Sequence, residues 1–315
     1  MVTIPLDRLD ELLANNKDEY IEQLFTLLRQ KSISTQNVGI TECANLLKSM
    51  MDDLGIKTQI MQTNGHPVVY GEMINDEKFF TLLIYGHYDV QPVEPLDEWK
   101  FPPFEPTIYD GRIYGRGAGD NTGQLMAQLL GVNTYIGLFG DLPINIKFLF
   151  EGEEELGSPN LAAFVKENKE LLKANLVYTL DVLLVVDQDP MDIFNKIYKH
   201  VQKHDPDIEV TYISSMEPSR TSADLEIVKV VANAVRTSFK QEPLIQPSLG
   251  SSLPDYVWTK ILEVPSIIMP YANFDQRNHS PNENLRIDYF LNGIKCTCHV
   301  IDALGKQKNV QKFLF

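Results

Sequence analysis

The sequence predicts a layered α/β domain with a mainly parallel central sheet. Strand-like apolar runs alternate with longer runs whose apolar residues recur at helical spacing, as in parallel strands joined by right-handed helical crossovers. Residues able to do chemistry cluster just past the ends of the predicted strands, where open α/β sheets bind ligands.

The elements follow in order. Leu9, Leu12 and Leu13, then Tyr20, Ile21, Leu24, Phe25 and Leu28, fall at helix spacing. A second helix fits 41–54 and ends at Gly55, a residue suited to the left-handed turn after a helix. Strands are predicted at 57–62, 67–73 and 79–86. A helix at 122–139, a strand at 144–150, a helix at 159–172 and a strand at 175–180 follow. After 216 come a helix at 222–239, a strand at 264–270 and a helix from about 285 to 304. Between these halves, 183–215 reads as strand, helix, strand. Asp189 caps the helix, Pro190 takes its first position, and Ile193, Ile197 and Val201 form its apolar stripe. Glu217, Pro218, Ser219 and Arg220 read as the linker back.

Composition narrows the function. At 315 residues, 43% hydrophobic and 23% charged, the chain is expected to be globular. The net charge of −15 speaks against nucleic acid or an anionic membrane as partner. No stretch is long and apolar enough for a membrane span, and the N-terminus lacks the pattern of a secretory signal. Cys43, Cys296 and Cys298 form no disulfide framework, so a reducing, cytoplasmic setting is expected. Cys296 and Cys298 fall in the apolar pattern of the last helix and read as buried.

Past the strands, five stretches carry candidate chemistry. They are Gly86-His87-Tyr88-Asp89, the loop 115–121 containing Asp120, the run 151–158 containing Glu153, Glu154 and Glu155, Asp181, and the loop ending in His279-Ser280-Pro281-Asn282-Glu283. Alone, each could be turn chemistry or a solvated loop. Together they bring two imidazoles and several carboxylates to one sheet edge, a donor set suited to two divalent cations sharing a carboxylate. Glu151 and Glu153 read as surface or supporting carboxylates. His66, His200, His204 and His299 read as exposed or locally bonded, and Trp99 and Phe101 as packing or cleft residues.

The strings GHYDVQP, YGRGAGDNTG, EGEEELGS and HSPNE resemble, in order, the metallopeptidase family of carnosine-type dipeptidases, glutamate carboxypeptidase, aminoacylase, acetylornithine deacetylase and succinyl-diaminopimelate desuccinylase. GHYDVQP followed by Glu98-Trp99 resembles the dipeptidase branch. The resemblance implies one metal on His87, Asp120 and Asp181, and another on Asp120, Glu155 and His279, with Asp120 bridging. It implies that Glu154 is the general base and that Asp89 orients His87. Gly250, Ser251 and Ser252 resemble the substrate-side loop. The implied cofactors are two divalent ions, Zn²⁺ first and Co²⁺ or Mn²⁺ also acceptable. The implied substrate is a dipeptide or C-terminal residue. An N-acyl amino acid, or a metal-binding but catalytically silent form, stays open as an alternative.

The family normally inserts a lid and dimerisation domain after the residue matching Asp181. Here 182–215 resembles only its last strand-helix-strand, between catalytic segments 1–181 and 216–315. The implied losses are an inter-subunit histidine donor to the oxyanion, worth ~10²–10³ in kcat, a closing lid, and the family's dimer surface. A monomer, or a dimer through the exposed edge of the 183–215 segment instead of the family's surface, is therefore expected.

Overall fold

The computed structural model describes residues 6–179, 189–212, 215–246 and 254–307. Helices α1 (Leu6–Arg29) and α2 (Ile40–Asp53) lead into strands β1 (Lys57–Met61), β2 (Val68–Met73) and β3 (Thr81–His87). A small hairpin, β4 (Thr107–Tyr109) and β5 (Arg112–Tyr114), precedes α3 (Thr122–Phe139) and β6 (Asn145–Glu151). Then come α4 (Leu161–Glu167), α5 (Lys169–Leu172), β7 (Leu176–Thr179), α6 (Pro190–His204) and α7 (Glu226–Phe239). A π-helical turn at Val257–Leu262, β8 (Ser266–Ile268), β9 (Asn284–Arg286) and α8 (Ile287–Gly305) complete the described chain.

The main sheet runs β1-β2-β6-β3-β7-β8. Its core is parallel: β3 pairs with β6 and β7, and β7 with β8, whereas β1–β2 and β2–β6 are antiparallel. Period-two alternation decides what each strand residue meets. Leu82 and Ile84 of β3, with Ile146, Phe148 and Phe150 of β6, face the layer of α1, α2, α3, α7 and α8. Leu83, Tyr85 and Leu149 face α4, α5 and the π-helical turn. Helices thus cover both faces, as parallel strands require.

Helix α3 is buried nearly all round because it lies between the sheet and α8. Its Gly131 permits the approach: a Cβ there would lie 2.4 Å from Thr297 Cβ and 2.9 Å from the Ile294 carbonyl oxygen. Phe148 is fully buried in the central strand β6. Phe148→Ala is expected to destabilise the fold by about 3–5 kcal/mol, read as a lower urea midpoint at constant slope.

The predicted α/β order holds, with local corrections. The helix predicted over 159–172 is two helices, because the Asn168 amide side chain donates to the Phe164 carbonyl and competes with helical continuation. The helix predicted from 222 starts at Glu226, and the strand predicted over 264–270 shortens to Ser266–Ile268. In the middle segment, Asp189 caps α6 as expected, its Oδ1 accepting from the Asp192 amide at 2.7 Å. The final strand predicted there is absent over 208–212. Ile208 and Tyr212 are 49% and 42% exposed, with no described strand beside them to complete a ladder. Its first strand, at 183–186, lies outside the described residues.

The three-stranded sheet β4-β5-β9 was not anticipated. Asp110 and Gly111, both at positive φ, turn the hairpin. Pairing of Ile113 with Leu285 joins strands far apart in sequence and sets the loop before β9 against the loop after β5.

Candidate metal centre

Parallel strands β3 and β6 place His87 directly opposite Glu151, and both strands end at the same edge. The loop 115–121 and the loop before β9 meet there.

His87 is completely buried at the end of β3. Its Nδ1 donates to the Asp89 carbonyl oxygen at 3.0 Å, and the Asp89 carboxylate lies 3.3 Å from the same nitrogen. The other ring nitrogen, Nε2, faces Asp120 Oδ1 at 3.3 Å. On the other side, His279 Nε2 lies 3.2 Å from Asp120 Oδ2 and 3.1 Å from Glu155 Oε2. The two oxygens of Asp120 are therefore divided between two imidazoles. Asp120, Glu155 and His279 converge within 4.8 Å of one another, as do His87, Glu154 and Glu155. Glu154 Oε2 lies 3.8 Å from His87 Nε2.

Asp89 has a second task. Its two oxygens accept the backbone N–H groups of Glu154 and Glu155 at 3.2 and 3.1 Å, fixing where the glutamate turn begins relative to His87. His279 is reached through strained backbone: Arg277, His279 and Asn282 all adopt left-handed φ values of 56–66°. Such conformations cost about 1–3 kcal/mol each and concentrate at functional sites.

The electrostatics favour positive charge here. Burial lowers the His87 pKa, but hydrogen bonds to Asp120 and Asp89 outweigh it and hold the imidazole well above its ordinary value. His279 is pushed up to about 10 by Asp120 and then Glu155. Burial alone would raise Asp120, yet His279 and His87 hold it well below the carboxylate range. Imidazole nitrogen and carboxylate oxygen around one shared carboxylate form a donor set that fits divalent transition ions.

Several supporting residues escaped the sequence reading. Glu283 is fully buried, accepts from Arg116 Nη1 at 2.8 Å, and takes the amides of Gly117, Gly119 and Asp120 at 2.9–3.1 Å. One carboxylate from the end of the chain thus shapes the loop that presents Asp120. Gln91 Nε2 donates to Glu155 Oε2 at 2.8 Å, and Asn278 Nδ2 to Asp120 Oδ2 at 3.2 Å. The only trace of the first arrangement in the sequence is that Arg116 and Glu283 each fall within a singled-out stretch.

Glu151 and Glu153 are supports, not surface groups. Glu151 is buried and accepts from Tyr85 Oη at 2.5 Å and Ser158 Oγ at 2.8 Å. Glu153 accepts from the His66 amide and Asn160 Nδ2. Trp99 and Phe101 pack. Trp99 donates to the Val93 carbonyl beneath the Arg116 guanidinium, and Phe101 lies against Tyr109 and Tyr114. His299 is buried rather than exposed, and its Nε2 has no hydrogen-bond partner among the described residues. Cys296 and Cys298 are buried thiols, as expected. Asp181, Gly250, Ser251 and Ser252 lie outside the described residues.

Burial pushes the Glu151 carboxyl up to about 7 from 4.5. A carboxyl raised in the fold contributes stability that is fully present below pH 4.5 and is lost as pH rises through about 7. Relative to Glu151→Gln, the native chain is expected to lose on the order of 3 kcal/mol across that window. Denaturant titrations of both proteins at several pH values check this; parallel curves would refute it.

Residues 83–303 match the sequence pattern of peptidase family M20/M25/M40. The chain belongs to that family. Among curated relatives, this M20-family chain is 31% identical over 199 residues to "Beta-Ala-His dipeptidase" of Rattus norvegicus, covering 58% of the chain and 39% of the relative. It is 32% identical over 202 residues to "Cys-Gly metallodipeptidase dug1" of Schizosaccharomyces pombe, covering 59% and 42%. The chain thus spans about two fifths of the length of these relatives. Among solved structures it resembles the M20 family metallo-carboxypeptidase Sso-CP2 of Sulfolobus solfataricus, with a TM-score of 0.85, 26% identity, and coverage of 92% of this chain and 100% of that one. The fold is also that of the dipeptidase Dug1p of Saccharomyces cerevisiae, with a TM-score of 0.79, 15% identity, and coverage of 97% and 99%.

Proposed function

We propose that this chain is a metal-dependent hydrolase of the dipeptidase kind, cleaving the amide bond of a dipeptide or of a C-terminal residue. The observation that carries the reading is the division of the Asp120 oxygens between His87 and His279. That arrangement suits a carboxylate bridging two cations. Two relatives named for two-residue substrates, Beta-Ala-His and Cys-Gly, support the dipeptidase assignment.

In this reading His87, Asp120 and Asp181 hold one ion, and Asp120, Glu155 and His279 the other. Zn²⁺ suits the mixed imidazole and carboxylate set, and Co²⁺ or Mn²⁺ are chemically compatible. When bound, a metal pair supplies Lewis acidity and makes water a nucleophile near neutral pH. Glu154 takes the proton from the attacking water and returns it to the leaving amine. Asp89 fixes the His87 ring and the start of the glutamate turn. Gly250, Ser251 and Ser252 contact the substrate.

The catalytic unit comprises 1–181 and 216–315 around the short segment 182–215. Support comes from α7, β8 and α8, which complete the sheet and helical layer begun before residue 180. The chain acts as a monomer in a reducing compartment. No helix among the described residues is long and apolar enough to cross a membrane.

The test is hydrolysis of a dipeptide panel beside N-acetyl and N-succinyl amino acids, with Zn²⁺, Mn²⁺ or Co²⁺ supplied and occupancy verified. Dipeptides are expected to be cleaved, with activity removed by chelator and restored by metal. Preference for the N-acyl substrates would move the assignment to a deacylase. Full occupancy without turnover of any amide would overturn a catalytic role.

A further inference from the structure

We propose that His200 and His204 form a separate chelating site for a soft-to-borderline divalent transition ion, of the Cu²⁺, Ni²⁺ or Zn²⁺ class. The inference does not depend on the centre around Asp120.

The two residues stand four apart in the last turn of α6, so both side chains lie on one helix face. Their ring centroids are 4.6 Å apart, with the planes inclined at 41°. Both are exposed, and neither has a hydrogen bond or ion pair to another described residue. This separates them from His66, whose Nε2 lies 3.2 Å from the Ser34 carbonyl, and from His299, which is buried. Two unengaged imidazoles this close can each turn one nitrogen toward a common ion at ~2.0–2.1 Å. Solvent water fills the remaining coordination positions.

The surroundings favour a cation there. The final carbonyls of α6 point past His204, placing the negative end of the helix dipole at the site. Lys196, four residues before His200 and so on the same helix face, has its charge met by Asp192 at 2.5 Å. Lys203, three residues after His200, borders the pair, and Lys199 is rotated about 100° from His200. The paired imidazoles select against Mg²⁺ and Ca²⁺, which prefer oxygen donors.

The chelate effect sets the expected magnitude. With the first imidazole bound, the second meets the ion at high effective concentration, so removing either one is expected to weaken binding on the order of a hundredfold. Alanine is the strongest helix former, so His200→Ala and His204→Ala preserve α6, as circular dichroism would verify.

Calorimetric titration of the full chain with Ni²⁺ or Cu²⁺ tests the site, comparing the native protein with the His200→Ala/His204→Ala double variant. The native chain is expected to bind one more equivalent than the double variant, and each single variant is expected to weaken that equivalent. Electron paramagnetic resonance of the Cu²⁺ form should attribute two nitrogen donors to it. Equal stoichiometry and affinity in native and double-variant chains would overturn the proposal. Because the comparison is a difference at α6, it reads the same whether or not the Asp120 centre binds two ions.

Discussion

Glu154→Gln is expected to remove ~10²–10⁴ of the hydrolytic rate, the usual contribution of a positioned general base. That corresponds to about 3–5 kcal/mol of barrier. Metal content should be unchanged. Glutamine matches the carboxylate in shape, and the position of the glutamate turn comes from the backbone: the amides of residues 154 and 155 bond to Asp89, and neither bond involves the Glu154 side chain. Steady-state kinetics on one dipeptide, beside metal analysis of the same preparation, separates the outcomes. A fall in kcat with metal retained supports proton transfer at Glu154. Loss of metal together with activity would instead make Glu154 a ligand, a result its 3.8 Å approach to His87 Nε2 makes worth measuring.

Asp120→Ala is expected to weaken retention of both metals, by more than the ~10–100-fold that follows loss of a partner outside the ligand set. The reason is geometric. One carboxylate serves two imidazoles, so a single substitution removes an oxygen from each half of the centre. The loop itself should persist, because Glu283 grips the amides of Gly117, Gly119 and residue 120 and makes no bond to the Asp120 side chain. The variant is therefore expected to fold, and equilibrium dialysis against Zn²⁺ should detect the loss of both ions. Loss of one ion with the other held at native affinity would refute the bridging role of Asp120.

The sequence made some of this legible and hid the rest, for physical reasons. Strong apolar periodicity located β3, β6, α3 and α8, since burial on both sides of the sheet leaves a pattern in the chain. Their order then brought His87, Glu154 and Glu155 to one edge. The clusters in the structure include those residues together with Asp120 and His279. The β4-β5-β9 sheet escaped notice because its strands have three residues each, too few for alternation to register. The Arg116–Glu283 pair escaped because nothing local marks a contact across 167 positions. The failed strand at 208–212 had suitable residues and no described neighbour to pair with, and pairing is a property of the whole fold. Asn168 turned one predicted helix into two through a single side-chain hydrogen bond.

The grip of Glu283 on the Asp120 loop also governs timing. A polypeptide emerging from its N-terminus would present β3, α3 and β6 well before His279 and Glu283 existed, with the Asp120 loop not yet braced and one imidazole missing. The centre is thus among the last parts of the described chain to be completed. A nascent chain long enough to form most of the sheet still lacks His279 and the Glu283 brace, so the candidate centre is complete only once synthesis has passed residue 283.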